Sequence, residues 1–392
     1  MNQKGSGFID EGGEAEDGEV EDDGDCFGRK MGVSFGEAAC PGLVAGMSVS
    51  SRGCKNWYTI IINPSFVTKH LNHHNNSGRL FVNRYDKISN KYVFSLFSDQ
   101  TLAGSPPEYQ DVVVDLPNCI WISSCNGLLC LSYSLERFAL WNPATREFRS
   151  LPLLPRNFTP NVVSSQETFG FGLDPITNDY KVVWIWDSED DIRDIKLRAY
   201  EVAVYTHSTH SWKYLDVALP YSSIDIPQSN TYINGVYHWF AIDNEGHHVI
   251  LAFDMGNELF HEIHGIPCSK CASLVPYNNS LALIYYDCNP VEIWVMREEG
   301  GRTKQFTVEL SGMSLPFGFW KNGQLITEIG CGHMALYDPE TCEIKYIGSC
   351  IWIDCFVYRE SLVVIRGVGD RLLEQDQLSD VDQILNFSNV GD

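Results

Sequence analysis

Beyond residue 78, the hydrophobic residues of this chain come in short runs that alternate with polar residues, a pattern typical of β-strands. The runs LFVNRY and KYVFSLF flank a polar turn and predict a hairpin over residues 79–97. Residues 1–53 show neither a helical nor an alternating hydrophobic period. In the segment between, CKNWYTIIINPSFVTKHL, the hydrophobic spacing suits two short helical turns that are broken at Pro64.

A short unit recurs after the hairpin. An aromatic residue ends one strand, a turn follows, and a hydrophobic residue returns seven positions later. The turn often begins with Asn or Asp followed by Pro, which favours a type I turn between antiparallel strands. The unit is repeated in the pairs Trp141 and Phe148, Tyr205 and Trp212, Phe253 and Phe260, and Tyr337 and Ile344, and with a longer turn from Trp294 to Phe306.

A second hairpin is predicted upstream of several units. Its turn residues favour the primed conformations, which need positive φ at both central residues. They are Asn126-Gly127, Asn234-Gly235 and Asn322-Gly323, with Asn278-Asn279 in the same place. Each repeat thus offers about four strands. One such sheet cannot bury both of its faces, whereas a radial arrangement packs sheet on sheet.

We therefore predict an all-β fold, a kelch-like β-propeller. The last apolar run, residues 356–365, lacks a partner of its own and would close the ring by joining the hairpin at 79–97. This makes six blades, although five or seven also fit the pattern. A β-sandwich is the alternative, but it does not explain the long period. The other five sheets are predicted at 118–153, 167–219, 231–266, 272–310 and 315–348.

Composition adds a strong charge asymmetry. The 392 residues have a formal net charge of -23, which argues against a nucleic-acid role, because phosphate binding needs a basic face. Residues 10–25 contain acidic but no basic side chains and have almost nothing to bury, so we expect them to be disordered. The remainder is also acidic, which would favour a basic protein partner.

The 13 cysteines are scattered and odd in number, and the sequence shows no signal peptide or membrane-spanning stretch. We therefore expect reduced, mostly buried thiols in a cytoplasmic or nuclear protein without membrane association. The sequons at Asn75, Asn157, Asn278 and Asn386 would then be unused, because glycosylation needs the secretory route.

Candidate chemistry is sparse, and we predict no catalytic residue, no cofactor and no metal. Cys268 and Cys271 have the spacing of half a zinc site, but without a second pair they are expected to be structural or free thiols. The pairs His73-His74 and His247-His248 are expected in solvated loops, because neighbours in an extended segment point opposite ways. An enzymatic propeller is the alternative, and it would need a cluster of carboxylates, tyrosines or cysteines in the central channel.

Two further segments have competing interpretations. Gly170 and Gly172 lie in a strand context without the third glycine of a dinucleotide loop, so close strand packing or a bulge is expected. The segment 187–194, DSEDDIRD, is expected to be a polar blade-tip loop. Alternatively, it forms a contact surface for a basic target, since exposed tryptophans anchor interfaces and charge steers encounter. The candidate target-binding residues are Trp184, Trp186, Asp187, Glu189 and Asp190.

Eight motifs over residues 54–367 resemble plant F-box proteins with a type 1 F-box-associated domain, including the S-locus F-box-like group. They occur in that family's order, which makes the resemblance highly specific. CKNWYTIIINPSFVTKHL is similar to the segment that ends the F-box. The motifs are SCNGLLCL (124–131), LWNPATREFRSLP (140–152), FGFGLDPITNDYKVV (169–183), NGVYHW (234–239), LAFDMGNELFHEI (251–263), EIWVM (292–296), PFGFWKNGQL (316–325) and LYDPETCEIKYIG (336–348).

The resemblance implies a substrate-recognition subunit of a cullin-based ubiquitin ligase. In such proteins the F-box binds a Skp-type adaptor and the propeller holds the protein target, which in the S-locus group is a basic ribonuclease. The family's apolar F-box helices and their Leu-Pro start have no counterpart in residues 1–50. Only Cys54, Lys55 and Trp57 match the adaptor-binding segment, so adaptor and cullin binding are not expected to be intact. An alternative first exon, an error in the gene model or a degenerating paralogue would each produce this junction.

Four segments are predicted from these observations. They are a disordered acidic tail at 1–53, an F-box remnant and linker at 54–76, the propeller at 77–367 and an acidic tail at 368–392. The predicted function is non-enzymatic target recognition in ubiquitin-dependent degradation. The alternative is an orphan interaction propeller that cannot bind the adaptor, and co-precipitation with the adaptor separates the two.

Overall fold

The computed structural model confirms an all-β, six-bladed propeller. Its described residues form one helix of more than one turn and 24 strands, arranged in six four-stranded antiparallel sheets. The described residues are 63–73, 78–86, 91–98, 102, 110–112, 121–134, 137–145, 147–154, 162–192, 195–227, 229–264, 272–286, 290–297, 301–309, 312–330, 332–349 and 351–365.

The first three blades are built from the N-terminal half of the propeller and one C-terminal strand. Blade 1 contains β1 (Arg79–Asp86), β2 (Lys91–Phe97), β3 (Gln110–Val112) and β24 (Ile351–Tyr358). Blade 2 contains β4 (Trp121–Cys125), β5 (Leu128–Ser134), β6 (Arg137–Asn142) and β7 (Glu147–Ser150). Blade 3 contains β8 (Val162–Asp174), β9 (Asp179–Ile192), β10 (Ile195–Thr206) and β11 (Ser211–Leu215).

The other three blades follow in chain order. Blade 4 contains β12 (Tyr221–Ile224), β13 (Val236–Asp243), β14 (His248–Asp254) and β15 (Leu259–Ile263). Blade 5 contains β16 (Ala272–Tyr277), β17 (Ser280–Tyr285), β18 (Val291–Met296) and β19 (Arg302–Val308). Blade 6 contains β20 (Met313–Phe319), β21 (Leu325–Ile329), β22 (His333–Tyr337) and β23 (Ile344–Ser349). Blade 4 thus begins at β12, earlier than the predicted start at residue 231.

Neighbouring blades contact one another in a closed ring, through the innermost strand of each sheet except in blade 4, where β13, next to the edge strand β12, makes the contacts. Contacts run from β4 to β8, from β8 to β13, and from β13 to β16. They continue from β16 to β20, from β20 to β24 and back from β24 to β4. Because every sheet packs on two others, hydrophobic side chains on both of its faces are removed from water.

The seven-residue spacing between the two hydrophobic residues of the repeated unit has a direct structural cause. In four blades its two hydrophobic residues are cross-strand partners at the turn between the third and fourth strands, so their side chains pack against each other. The fifth unit differs from the prediction. A bulge shifts the register of β18 and β19, so Phe306 pairs with Ile293 and Trp294 pairs with Lys304.

The predicted primed turns are confirmed by their backbone angles. Both central residues have φ between 47° and 89° in each of the four dipeptides. Asparagine and glycine tolerate this left-handed region better than other residues do. The dipeptides are Asn126-Gly127, Asn234-Gly235, Asn278-Asn279 and Asn322-Gly323.

Four other turns between strands are stabilised by the side chain of their first residue. Four Asn or Asp residues accept hydrogen bonds from two backbone N–H groups of the turn, over 2.8–3.3 Å. This local capture stabilises the turn and fixes where the next strand starts. The four residues are Asn142, Asp174, Asp254 and Asp338.

Ring closure joins the two ends of the propeller in one sheet. Strand β24 pairs along β1, from Arg79 opposite Tyr358 to Tyr85 opposite Ile351. The prediction that a C-terminal run completes the sheet of the first hairpin is therefore confirmed. The predicted bounds of that run, 356–365, are wrong, because the strand is displaced toward the N-terminus and ends at Tyr358.

Residues beyond β24 continue onto blade 2 as an extended segment. Asn142 Nδ2 donates to the carbonyl oxygens of Ser361 at 3.0 Å and Val363 at 2.8 Å. Ile365 N donates to Glu147 Oε2 at 3.0 Å. Asn142 therefore stabilises its own turn and also holds the chain segment that follows ring closure.

Helix α1 spans Pro64–His73 and precedes the propeller. The N–H groups of Phe66 and Val67 donate to Asn63 O at 2.9 and 3.0 Å. Pro64 begins this helix, which agrees with a break at Pro64, and the helical turn predicted before it lies outside the described residues. A first-turn proline lacks only an N–H that would have no helical partner. No described helix is long and hydrophobic enough to span a bilayer.

A buried ion network links blades 3 and 4. Lys181 Nζ lies 2.8 Å from Asp174 Oδ2 and 2.9 Å from Glu258 Oε1, and it donates to Met255 O at 2.8 Å. Burial opposes ionisation of Asp174, but the Lys181 ammonium and the N–H groups of the turn hold its pKa at about 2. Lys213, which is exposed, contacts the other Glu258 oxygen at 2.6 Å.

The glycines of the GFG motif confirm the prediction of close packing. A Cβ atom on Gly170 would lie 2.6 Å from the Tyr237 ring, and one on Gly172 would lie 2.3 Å from the Tyr232 ring. A side chain at either position would displace an aromatic ring of blade 4. These glycines therefore serve the contact between blades rather than a dinucleotide.

Candidate interaction face

The two faces of the ring are defined by the direction of the inner strands. These strands begin on one side, the upper face, at residues such as Trp121 and Ala272. They end on the other side, the lower face, at turns such as Asn126-Gly127. The upper face also receives the connections from one blade to the next. The centre of the upper face is the candidate functional site.

Blade 4 departs from the regular pattern at this centre. Asp225 N donates to Phe240 O at 2.8 Å, after which the chain leaves the sheet. Pairing resumes at Thr231, whose carbonyl lies 2.9 Å from His238 Nδ1. Burial lowers the pKa of His238 to about 4, so a neutral ring donates from Nδ1 at pH 7. We call residues 226–230 the channel segment; Gln228 within it lies outside the described residues.

The channel segment reaches blade 2. Ser123 Oγ donates to Asn230 Oδ1 at 3.1 Å, and Asn230 Nδ2 donates to the Ser124 carbonyl. Ile226, Pro227 and Ser229 border a small central cavity together with residues of blades 1 to 4. The segment therefore occupies the channel that the inner strands surround.

The remaining central cavity has a volume of about 20 Å³. Asp354, Tyr237, Ser123 and Thr168 line it. Burial raises the pKa of Asp354 to about 7 and that of Tyr237 to about 12. A carboxylate beside a tyrosine is what the enzymatic alternative requires, but this space holds roughly one water molecule. This cavity is therefore too small for a substrate.

A larger pocket of about 340 Å³ opens on the upper face beside the channel segment. Blades 2, 3, 4 and 5 all contribute to its walls, so its shape depends on the assembled ring. The lining residues are Trp121, Gln166, Asp225, Ile226, Pro227, Phe240, Ala272, Ser273, Leu274 and Tyr286.

The lining combines aromatic rings with one negative charge. Trp121, Phe240 and Tyr286 supply the rings, and Asp225 is the one charged side chain among the lining residues just named. Ser273 is 2% exposed, and its Oγ has no hydrogen-bond partner in the described structure. The residues that line this pocket were not predicted from the sequence. Pro227 was the available signal, because a proline interrupts an inner strand of a sheet.

The predicted exposure of the two tryptophans is wrong. Trp184 is 0% and Trp186 4% exposed, and both lie in β9 within the core between blades 2 and 3. Their ring centroids are 6.5 Å apart, and Trp184 Nε1 donates to Glu167 Oε2 at 3.1 Å. Alternate residues of a strand share a face, so both indoles point into the same core. The continuous apolar run VVWIW was the signal for a buried strand.

The segment predicted as a loop is largely a hairpin. Residues 187–192 belong to β9, which pairs with both β8 and β10. These strands have 14, 13 and 12 residues, whereas the other described strands have at most 8. The extra length extends blade 3 beyond the upper face. Asp187 is buried and forms an ion pair with Arg198 Nε at 2.9 Å. Target binding by Asp187, Glu189 and Asp190 stays a prediction.

The lower face receives helix α1. Phe66 and Val67 pack against Ala144 and Leu362, at the turn of blade 2 and the segment after β24. The chain that precedes the propeller therefore approaches on the side opposite the pocket. The predicted adaptor-binding remnant, Cys54, Lys55 and Trp57, lies outside the described residues.

The described residues contain no group of three or more His, Cys, Asp or Glu side chains that could hold a metal ion. His247 Nδ1 contacts Asp243 Oδ2 at 3.0 Å in an exposed turn, and His248 begins β14. Cys268 and Cys271 lie outside the described residues, so the prediction about their thiols stays untested.

Comparison with known proteins gives a family match over the propeller. The model of the F-box associated beta propeller domain matches residues 106–328. An F-box protein of Arabidopsis thaliana is 29% identical over 238 residues, covering 54% of this chain and 52% of that protein. A putative F-box/kelch-repeat protein of the same plant is 26% identical over 211 residues, covering 53% of this chain and 51% of that protein. The chain thus spans about half the length of these curated relatives. TolB from Acinetobacter baumannii aligns over 75% of this chain and 72% of its own, at 9% identity and a TM-score of 0.41.

Proposed function

The chain belongs to the family of F-box associated beta propeller domains, and from this premise we propose that it recognises a protein target for ubiquitin-dependent degradation. In this role it is the substrate-binding subunit of a cullin-based ligase. The observation that supports the proposal most is the family match over residues 106–328, which runs from β3 of blade 1 into β21 of blade 6.

The arrangement of the two faces is consistent with such a role. Helix α1 packs on the lower face through Phe66 and Val67, whereas the pocket and the extended hairpin of blade 3 lie on the upper face. A ligase connected through the lower face would leave the upper face open to a target. Target and adaptor would then bind without competing for the same surface.

Charge favours a basic target. The chain has a formal net charge of -23, and Asp225 places a carboxylate in the pocket. The hairpin adds Glu189 and Asp190 to the same side of the ring. Opposite charge accelerates encounter and disfavours acidic competitors, even where it adds little to affinity. Asp187 adds less, because Arg198 already neutralises it.

A second candidate is an interaction propeller that binds its target without delivering it to a ligase. The observation that favours it is the acidic, glycine-rich pattern of residues 1–53, which has no apolar helical period for an adaptor interface. Both candidates share the upper face as the target site. They differ in whether the bound protein is degraded.

Protein half-life in plant cells tests the proposal. Proteins that co-purify with the full chain are identified, and their half-lives are measured with and without the chain. We expect at least one bound protein to live longer when the chain is removed, and to be equally stabilised by proteasome inhibition. Co-precipitation of the full chain with a Skp-type adaptor is measured in parallel.

The outcomes separate the two candidates. A bound protein whose half-life is unchanged, together with no adaptor in the precipitate, supports the interaction propeller and contradicts the ligase role. Adaptor binding with a shortened target half-life supports the ligase role. A chain that retains no specific protein contradicts both.

A further inference from the structure

The pocket of the upper face has walls that are fixed by the sheets around it. Trp121 begins β4, Phe240 lies within β13, and Tyr286 directly follows β17. Asp225 is positioned by its N–H, which donates to Phe240 O at 2.8 Å. A site built on strands keeps its geometry before a ligand arrives, which reduces the entropy lost on binding.

The negative charge in this pocket has no lysine or arginine beside it in the described structure, and the charged group that acts on the Asp225 carboxylate is His248, outside the pocket lining. No ion pair to Asp225 forms among the described residues, and no lysine or arginine is present among the residues that line the pocket. A carboxylate in an aromatic cleft attracts a cation, and the faces of indole and phenol rings attract the same charge through their quadrupoles. Charge and ring faces therefore select the same class of ligand.

The Ser273 hydroxyl, which has no hydrogen-bond partner in the described structure, restricts which cationic ligands fit the pocket. Ser273 lines the pocket, and its buried Oγ lacks a hydrogen bond in the described structure. A buried polar atom without a partner is unfavourable, so a ligand that donates an N–H to it gains stability. A quaternary ammonium has no N–H to donate. A guanidinium offers five N–H donors in a plane that stacks on aromatic rings, which a compact ammonium does not.

We propose that this pocket receives an arginine side chain of the target protein. In the bound state the guanidinium stacks between the aromatic walls, pairs with the Asp225 carboxylate and donates to Ser273 Oγ. The volume of about 340 Å³ is near the lower limit of ordinary ligand pockets, which fits one long side chain and its backbone. The inference rests on the proposed function for the source of the arginine, but the binding chemistry is independent of any ligase.

The test uses the full chain and two synthetic peptides. One is an N-acetylated, C-amidated Gly-Arg-Gly tripeptide, and the other replaces arginine with citrulline, which has nearly the same shape without the charge. Binding is followed by titration of the tryptophan indole N–H signals in NMR spectra. We expect the arginine peptide to shift the signal assigned to Trp121, with at least about tenfold weaker binding of the citrulline peptide.

Matched variants assign the effect to the pocket. Asp225→Asn removes the pocket charge and is expected to weaken arginine binding about tenfold, to the level of the citrulline peptide. Glu245→Gln makes the same change of charge in an exposed turn of the same blade, outside the pocket lining, and is expected to bind like the wild type. Trp121→Phe keeps a smaller ring at the wall and is expected to weaken binding less than Asp225→Asn. Unchanged melting temperatures show that each variant is folded.

Equal binding of both peptides, or equal loss in Asp225→Asn and Glu245→Gln, would overturn the proposal. The result is distinguishable from failure of the proposed function. If the arginine peptide binds but no bound protein is degraded, only the ligase role is contradicted. If a target is degraded but Asp225→Asn captures it with wild-type affinity, only the arginine pocket is contradicted.

Discussion

The lower face of this propeller is formed by regular turns, whereas the upper face contains irregular segments. On the lower face, several blades turn at Asn-Gly dipeptides or at an Asn or Asp that accepts hydrogen bonds from N–H groups of the turn, and Asn142 and Lys181 hold neighbouring segments there. On the upper face, blade 4 sends residues 226–230 into the channel and blade 3 extends its hairpin. The difference indicates that the contacts of the lower face maintain the ring, whereas the irregular segments of the upper face surround a pocket.

The largest predicted effect concerns two glycines in left-handed turns, one on each face. Gly127 has φ +77°, and an added Cβ would lie 2.2 Å from the Arg359 carbonyl oxygen. Gly246 has φ +88°, with nothing within 4 Å. We expect Gly127→Ala to lower the free energy of unfolding by more than ~3 kcal/mol, because backbone atoms must move. The matched Gly246→Ala should cost about 1 kcal/mol, from the left-handed conformation alone.

Chemical denaturation of both variants measures this difference. Equal losses would contradict the idea that the lower face is the more constrained of the two. The measurement also reports on ring closure, since Arg359 follows β24.

The next effect concerns the ion network of the lower face. Lys181→Met leaves Asp174 and part of Glu258 buried without their ammonium partner, and we expect a loss of about 3 kcal/mol at pH 7. Lys213→Met removes a mostly exposed partner of Glu258 and should cost less than about 1 kcal/mol.

The pH dependence of unfolding gives a second readout. The pKa of Asp174 is held at about 2 in the folded protein, below its unfolded value. Its contribution to stability is therefore present above about pH 4 and is lost as pH falls toward 2. The part of the free energy of unfolding that is lost between about pH 4 and about pH 2 should be smaller in Lys181→Met than in the wild type. A stability loss in Lys181→Met no greater than in Lys213→Met would show that the network does not hold the blades together.

A smaller effect is expected in the channel between the faces. Burial raises the pKa of Asp354 to about 7, above its unfolded value, so wild-type stability falls as pH rises from about 4 through 7. Asp354→Asn removes this dependence. We expect the variant's stability relative to wild type to increase by about 2 kcal/mol between pH 5 and pH 8. A difference that is constant with pH would indicate that Asp354 is ionised throughout.

The smallest effect on stability is expected at the extended hairpin. The double change Glu189→Gln and Asp190→Asn should alter the free energy of unfolding by less than about 0.5 kcal/mol. Association of a basic target with this variant should be a few times slower at low salt, and the difference should vanish at high salt. Stopped-flow mixing measures the rates. Equal rates at low salt would remove the hairpin from the interaction face.

The sequence predicts the lower face well because its conformations are local. Asn126-Gly127 demands a primed turn, and Asn142 captures the next two N–H groups within a few residues of itself. The prediction that Trp184 and Trp186 are exposed is wrong because it rests on the acidic residues that follow them, whereas their apolar run favours a buried strand. The pocket could not be predicted. It brings together Trp121, Asp225 and Tyr286 from three blades, and no local sequence pattern predicts that these residues lie close to one another.

Site-specific photo-crosslinking compares the two faces most directly. A photoreactive phenylalanine derivative replaces Gln166 at the upper end of β8 in one variant and Ile176, 67% exposed beyond the lower end of the same strand, in the other. In plant cells we expect position 166 to form an adduct with the protein whose half-life depends on this chain, and position 176 to form none. Adducts to that protein from position 176 and not from 166 would contradict the assignment of the upper face as the target-binding face.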